Sequence, residues 1–241
     1  VKTFKTRNKQ IEIKMKKNIF LALDFNSADK ALRVTDQTKD HLAGIKIGLE
    51  LYSSIGLKGL KEFEKFKLPI FLDTKIFDIP TQVAKTIKVI SEFKSIKYCT
   101  IHTLGSLEML EAAQKAANGS NLEFLAVSIL TSWDKKDLEH IGINNNINEQ
   151  VKLLIKLACE ANVSGVIASA QDINLVRQIS KEIKIFCPGI RGDQNTQDQK
   201  RTLSYKEFNA IADDKCFAVI GRPIYEGNAL ENIKDIIQSA N

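Results

Sequence analysis

Short apolar runs recur along the chain at the spacing of a strand–helix repeat. Candidate strands are Ile19–Asp24, Gly44–Ile47, Ile70–Lys75, Tyr98–His102, Phe124–Ile129, Gly165–Ala168, Ile183–Cys187 and Ala218–Gly221. Between them the apolar period lengthens from two residues to three or four. Val83, Ile87 and Ile90 fall on one helical face, as do Val151, Leu154, Ile155 and Ala158. Leu104, Leu107 and Leu110 form a less regular stripe. Pro80 stands where the first turn of a helix tolerates proline, just after Asp78.

Eight strands alternating with helices over about 225 residues predict the α/β class and a single closed (β/α)8 barrel of the TIM type. An open doubly wound sheet is the structural alternative, but no Gly-x-Gly-x-x-Gly run follows the first strand and no P-loop is present. No internal repeat, low-complexity tract or interdomain linker interrupts the pattern. Barrel enzymes draw their catalytic groups from the C-terminal ends of the strands and the loops that follow, so charges at those positions carry the functional information.

Composition changes this picture only at the N-terminus. The net charge of +6 raises nucleic acid as a partner. Residues 1 to 17, however, hold seven bases and one acid. Removing them from 35 basic and 29 acidic residues leaves 28 of each, a neutral body without a basic patch. Met15, followed by Lys16, Lys17 and Asn18, looks like a natural start. Residues 1–14 are therefore expected to be an N-terminal extension or cloning remnant, and 15–241 the catalytic barrel. No apolar run reaches the roughly 20 residues of a membrane span, and no secretory signal is visible, so no membrane partner is expected. Cys99, Cys159, Cys187 and Cys216 are scattered, without a Cys-x-x-Cys pair, which predicts reduced thiols in a cytoplasmic protein and no metal site.

The most informative run is Ile70-Phe71-Leu72-Asp73-Thr74-Lys75-Ile76-Phe77-Asp78-Ile79-Pro80. Residues two apart on a strand share a face, so Asp73 and Lys75 point the same way, with Leu72 and Thr74 on the other side. Asp78 reads either as a helix N-cap or as a site residue. Asp24 ends the first strand, and Lys46 lies between isoleucines that pack outward. Together Asp24, Lys46, Asp73 and Lys75 place two acids and two cations on neighbouring inward faces. A buried ion pair seldom improves stability over apolar packing, so four such charges favour function.

Pro188-Gly189-Ile190-Arg191 follows the seventh strand, with a polar loop running on to Gln199 and Arg201, and Ile220-Gly221-Arg222-Pro223 follows the eighth. Barrels often hold phosphate on these loops, using backbone N–H groups and an arginine. His41 and His140 read as solvated residues, His102 as a supporting residue at a strand end, and Trp133 as a packing residue.

These motifs resemble orotidine 5′-phosphate decarboxylase: Asp73-x-Lys75-x-x-Asp78-Ile79-Pro80, Asp24, Lys46, Leu130-Thr131-Ser132, Pro188-Gly189-Ile190-Arg191 and Gly221-Arg222-Pro223 occur in that family's order from Ile19 onward. The resemblance implies a homodimer with shared sites that decarboxylates orotidine 5′-monophosphate to UMP, the last step of de novo pyrimidine synthesis, without metal or cofactor. It implies that Lys46, Asp73 and Lys75 form a charge network completed by Asp78 of the other subunit, with Lys75 the proton donor to C6. Asp24 and Lys46 are then expected at the ribose, Thr131 and Ser132 at the pyrimidine edge, and Gln199, Gly221 and Arg222 at the phosphate, with Arg191 nearby. Ile79 and Gln82 are expected at the substrate across the interface. Two departures stand out: Gln82 occupies the place of a ribose-binding threonine, and Phe77 that of a common histidine. The rival readings are a Mg²⁺-dependent sugar-phosphate aldolase or decarboxylase and a non-catalytic nucleotide-binding barrel.

Overall fold

Strand and helix alternate through the computed structural model, which describes residues 18–191 and 201–239. The expected N-terminal extension and Gln199 lie outside the described residues. Eight parallel strands close in sequence order: β1 (Ile19–Ala22), β2 (Gly44–Gly48), β3 (Ile70–Ile76), β4 (Ile96–His102), β5 (Glu123–Val127), β6 (Gly165–Ile167), β7 (Lys184–Pro188) and β8 (Cys216–Ile220). The closing pair is β1 with β8, in the register Phe20 to Val219. The expected (β/α)8 barrel is the observed fold.

Outward-facing strand residues such as Leu21, Ile45, Ile47, Leu72 and Ile185 meet the helices in one continuous core. The main helices are α1 (Ala28–Thr38), α2 (Leu49–Gly59), α3 (Pro80–Ser91), α4 (Leu107–Ala116), α5 (Lys135–His140), α6 (Ile147–Glu160), α7 (Ile173–Ile179), α8 (Tyr205–Ile211), α9 (Arg222–Tyr225) and α10 (Ala229–Ser239). Helix α3 buries Val83, Ile87 and Ile90, and α6 buries Val151, Leu154, Ile155 and Ala158, as their spacing requires. Reciprocal bonds between Asn146 and Glu149 start α6, and Ser204 and Glu207 start α8 in the same way.

The Leu104–Leu110 stripe does not belong to one helix. Ser106, with φ of 86°, separates a short 3-10 turn containing Leu104 from α4, and α4 buries Met109, Leu110 and Ala113 instead. Strand β1 also stops at Ala22, short of Asp24. The Leu23 N–H still donates to the Lys46 carbonyl at 2.9 Å, so the chain keeps its course beside β2 and carries Asp24 to the mouth of the barrel.

Aromatic rings fill the barrel interior. Phe186 lies 5.1 Å from Phe20, 5.5 Å from Phe71, 5.0 Å from Tyr98 and 4.7 Å from Phe217, centroid to centroid. Room for them comes from glycine at inward positions: a Cβ at Gly44 would meet the Phe20 ring at 2.3 Å. Below this plug, Glu123 accepts from Lys97 at 2.7 Å and from Lys184, whose ammonium also sits 5.5 Å from the Tyr98 ring. Burial works against the Glu123 carboxylate, but the hydrogen bonds from Lys184 and Lys97 hold its pKa below the usual value. The plug seals one end of the barrel and leaves the other open.

Phe186 touches every ring of the plug, so Phe186→Ala leaves a cavity that its neighbours cannot all collapse into. The expected cost is about 3–5 kcal/mol. It is read as a lowered urea midpoint, with Phe186→Leu losing much less; equal midpoints for wild type and Phe186→Ala would show that the plug does not support the barrel.

Candidate active site

At the open end the inward positions change from aromatic to charged. Lys46, two residues beyond Gly44 on the same face, is buried, and its ammonium donates to Asp24 Oδ1 at 2.6 Å. The lysine side chain is 10% exposed and the aspartate 45%, so the carboxylate sits at the solvent side of the pair. Glycines flank that carboxylate. A Cβ at Gly48 would lie 3.0 Å from Lys46 Nζ and 3.4 Å from Asp24 Oδ1, and one at Gly221 would lie 3.3 Å from Asp24 Oδ2. Any larger residue at either place crowds the pair.

The second pair stands on β3, where Lys75 Nζ donates to Asp73 Oδ1 at 2.9 Å. The strand is not regular here. Leu72 pairs with Cys99 and Ile76 with Ile101, so β3 takes four steps while β4 takes two. Lys75 absorbs the excess in the left-handed region, with φ of 48°. For a residue with a Cβ such a conformation costs about 1–3 kcal/mol and persists only where neighbours over-determine it. Bulges of this kind occur beside active sites, where they re-aim a side chain.

These pairs line one cleft of about 330 Å³, within the usual size range of small-molecule sites. Phe71, Ala22 and Val219 form its floor, and Val127, Ile129, Ile167 and Ala168 an apolar wall. Leu130, Thr131 and Ser132 enter from the loop after β5. Pro188, at the end of β7, enters with Gly189, Ile190 and Arg191 that follow it, and Gly221, Arg222 and Pro223 enter after β8. The cleft therefore brings together Asp24, Lys46, Asp73, Lys75, Thr131, Ser132, Arg191, Gly221 and Arg222.

Asp78, Ile79 and Gln82 are not among its lining residues. All three are exposed. Ile79, not Asp78, takes the N-cap position of α3, which removes the capping role suggested for Asp78; that carboxylate accepts the neighbouring Ile79 N–H at 2.7 Å. Phe77 and Ile79, on either side, are 62% and 63% exposed.

The loop after β7 is tied down at both ends. Arg191 N–H donates to the Leu203 carbonyl at 3.0 Å, and Leu203 N–H to the Gly189 carbonyl at 3.3 Å. Arg201 pairs with buried Asp172 at 2.7 Å and reaches the Ile129 carbonyl at 3.3 Å, joining the segments that follow β5, β6 and β7. Burial raises the Asp172 pKa, with the Arg201 charge opposing it. His102 accepts the Leu104 N–H through Nδ1 at 3.3 Å. Burial, and then the charge of Lys75, lower its pKa and favour neutral imidazole. Trp133 packs against the core, as expected.

Sequence reasoning passed over Thr100, which is fully buried and bonded to both Lys75 and Asp73. Its inward phase on β4, two residues before His102, was the available signal. Gly48 was missed because only the folded register shows what a side chain there would strike. Among the described residues, no group of three or more His, Cys, Asp and Glu could hold a metal ion, and no helix is long and apolar enough to cross a membrane.

Known proteins are similar to this chain over most of its length. A protein named orotidine 5′-phosphate decarboxylase from Ehrlichia chaffeensis is 37% identical over 224 residues, covering 92% of this chain and 96% of its own. One of the same name from Wolbachia pipientis is 37% identical over 212 residues, covering 87% and 92%. The crystal structure of orotidine 5′-phosphate decarboxylase from Lactobacillus acidophilus superposes with a TM-score of 0.77 at 25% identity, covering 93% of this chain and 99% of that one. The model of the orotidine 5′-phosphate decarboxylase / HUMPS family matches residues 17–235, and the chain belongs to that family.

Proposed function

We propose that this chain converts orotidine 5′-monophosphate to UMP and CO₂ in pyrimidine biosynthesis, with no metal or organic cofactor. The observation that carries this reading is the pair of lysine–aspartate couples, 2.6 and 2.9 Å long, converging on one cleft whose rim bears Arg191 and Arg222. The relatives' shared name supplies the substrate.

Breaking the C6–carboxylate bond leaves its electron pair on C6, in an orbital the pyrimidine ring delocalises poorly. Fixed charge is then the main means of lowering the barrier, because donors already in place need no reorganisation as the anion develops. Lys75 stabilises that anion and gives C6 the proton that completes UMP. Asp73 holds Lys75 and faces the departing carboxylate. Asp24 and Lys46 bind the ribose hydroxyls, Thr131 and Ser132 the pyrimidine edge, and Gly221 and Arg222 the phosphate, with Arg191 and Gln199 beside them.

Asp78 completes the network from a second copy of the chain, with Ile79 and Gln82 beside it at the substrate. What supports this is their place: all three are exposed and outside their own cleft, and Asp78 lies between the exposed apolar side chains Phe77 and Ile79. A homodimer covers that surface and delivers the carboxylate in one step. Three of the four unpaired cysteines are buried thiols, which suits a cytoplasmic setting.

Ultraviolet absorbance of orotidine 5′-monophosphate with excess chelator tests the reaction directly. Substrate loss at the same rate with and without chelator, abolished by Lys75→Ala, is expected; no loss from folded protein at high concentration points to the Mg²⁺-dependent sugar-phosphate reading. Arg222→Ala should slow the nucleotide far more than bare orotidine, since remote phosphate binding assists the chemical step. Equal losses on both substrates would remove the phosphate clamp. Mixing inactive Lys75→Ala with inactive Asp78→Asn should restore about a quarter of wild-type activity, because random pairing gives mixed two-fold dimers with one intact site each. Mixtures as inactive as their components would place Asp78 outside the site.

A further inference from the structure

The register shift in β3 leaves two inward side chains, Asp73 and Lys75, opposite a single inward residue of β4. That residue is Thr100, since Cys99 and Ile101 hold the outward pairings on either side. Lys75 N–H, turned out of the strand ladder by its left-handed φ, donates to Thr100 Oγ1 at 2.8 Å. The same oxygen lies 3.1 Å from Asp73 Oδ1 and 3.5 Å from the Leu72 carbonyl. A hydroxyl has one proton to give and lone pairs to receive with. The shorter, charge-assisted contact takes that proton, so Thr100 accepts from the Lys75 backbone and donates to the Asp73 carboxylate.

We propose that Thr100 is a positioning residue, whose one hydroxyl holds both the strained backbone beneath the Lys75 ammonium and the carboxylate that Lys75 grips. This rests on the reading that Asp73 and Lys75 carry the decarboxylation. Thr100 is fully buried and is not among the residues lining the cleft, so it acts through those two and not on the substrate.

Three features mark the hydroxyl as the working part. It replaces the strand carbonyl that a regular register would offer to Lys75. It orients the same Oδ1 that receives the lysine. It is also fully buried, so water does not compete for either bond. Valine at this position keeps the shape and removes both functions; serine removes the methyl and keeps both.

The test compares Thr100→Val and Thr100→Ser with wild type in steady-state decarboxylation of orotidine 5′-monophosphate, beside UMP affinity and melting temperature. Thr100→Val is expected to lower kcat by roughly 10–100-fold, the penalty of a displaced reacting group, while KM and UMP affinity change little. Thr100→Ser is expected to recover kcat to within about threefold of wild type, a small barrier difference. Should Thr100→Val fail to fold, Thr100→Ala against Thr100→Ser carries the same comparison. Equal kcat in valine (or alanine) and serine variants overturns the proposal, whether both match wild type or both fall. Wild-type protein without turnover overturns the functional reading, and this proposal with it; turnover in wild type that Thr100→Val preserves overturns this proposal alone.

Discussion

The structure depends on holding two lysine ammonium groups, each against its own aspartate, at the open end of a barrel plugged by aromatic rings. Removing an ion from water costs several kcal/mol even after the protein relaxes. A partner at 4 Å returns roughly 4 kcal/mol in partly solvated surroundings. Each lysine has its own aspartate in direct contact, at 2.6 Å for Lys46 and 2.9 Å for Lys75. The two contributions nearly cancel, so the pairs add little to stability. What they secure is a fixed field in a cleft with an apolar wall.

The barrel reaches that arrangement by changing only the chemistry of successive inward positions. On β3 the inward series runs from Phe71 to Asp73 to Lys75, from the aromatic plug through an anion to a cation. On β2 it runs from Gly44, which admits the Phe20 ring, through Lys46 to Gly48, which clears the Lys46–Asp24 pair. The outward series on the same strands stays aliphatic and packs on the helices. One face of each strand therefore supports the fold, while the other supplies first a floor and then a site. Phe71 belongs to both, as part of the plug and of the cleft floor.

Much of this was legible in the sequence because alternation is local. The eight apolar runs gave the barrel, and the spacing of Asp73 and Lys75 gave their common face. That inference survived the register shift for a specific reason: between Leu72 and Ile76, β3 gains two residues on β4, an even number, which preserves side-chain parity across the segment that carries Asp73 and Lys75. An odd insertion would have sent Lys75 outward. The shift itself, and the bond from Lys75 to Thr100, depend on how a second strand is paired and leave no local trace. The break at Ser106 escaped for a similar reason, since a leucine stripe continues across it in sequence while the backbone turns. Asp78 presented the converse difficulty: one residue before α3's N-cap, it has the composition of a helix start without the position.

The even count also explains how one strand serves two surfaces. Ile76 remains outward, paired against Ile101, so the chain leaves the barrel with its alternation intact. Phe77, Asp78 and Ile79 then emerge exposed ahead of α3, and Pro80 starts that helix at once. The bulge and the exposed turn lie close together in sequence, between an anchor at Thr100 on one side and Val83, fully buried in the first turns of α3, on the other. A carboxylate held this way keeps a fixed relation to the lysine of its own chain. In the proposed dimer the two-fold axis converts that relation into an equally fixed one toward the partner's lysine. Precision at the shared site then needs no flexible arm: it follows from the stiffness of β3 and the start of α3.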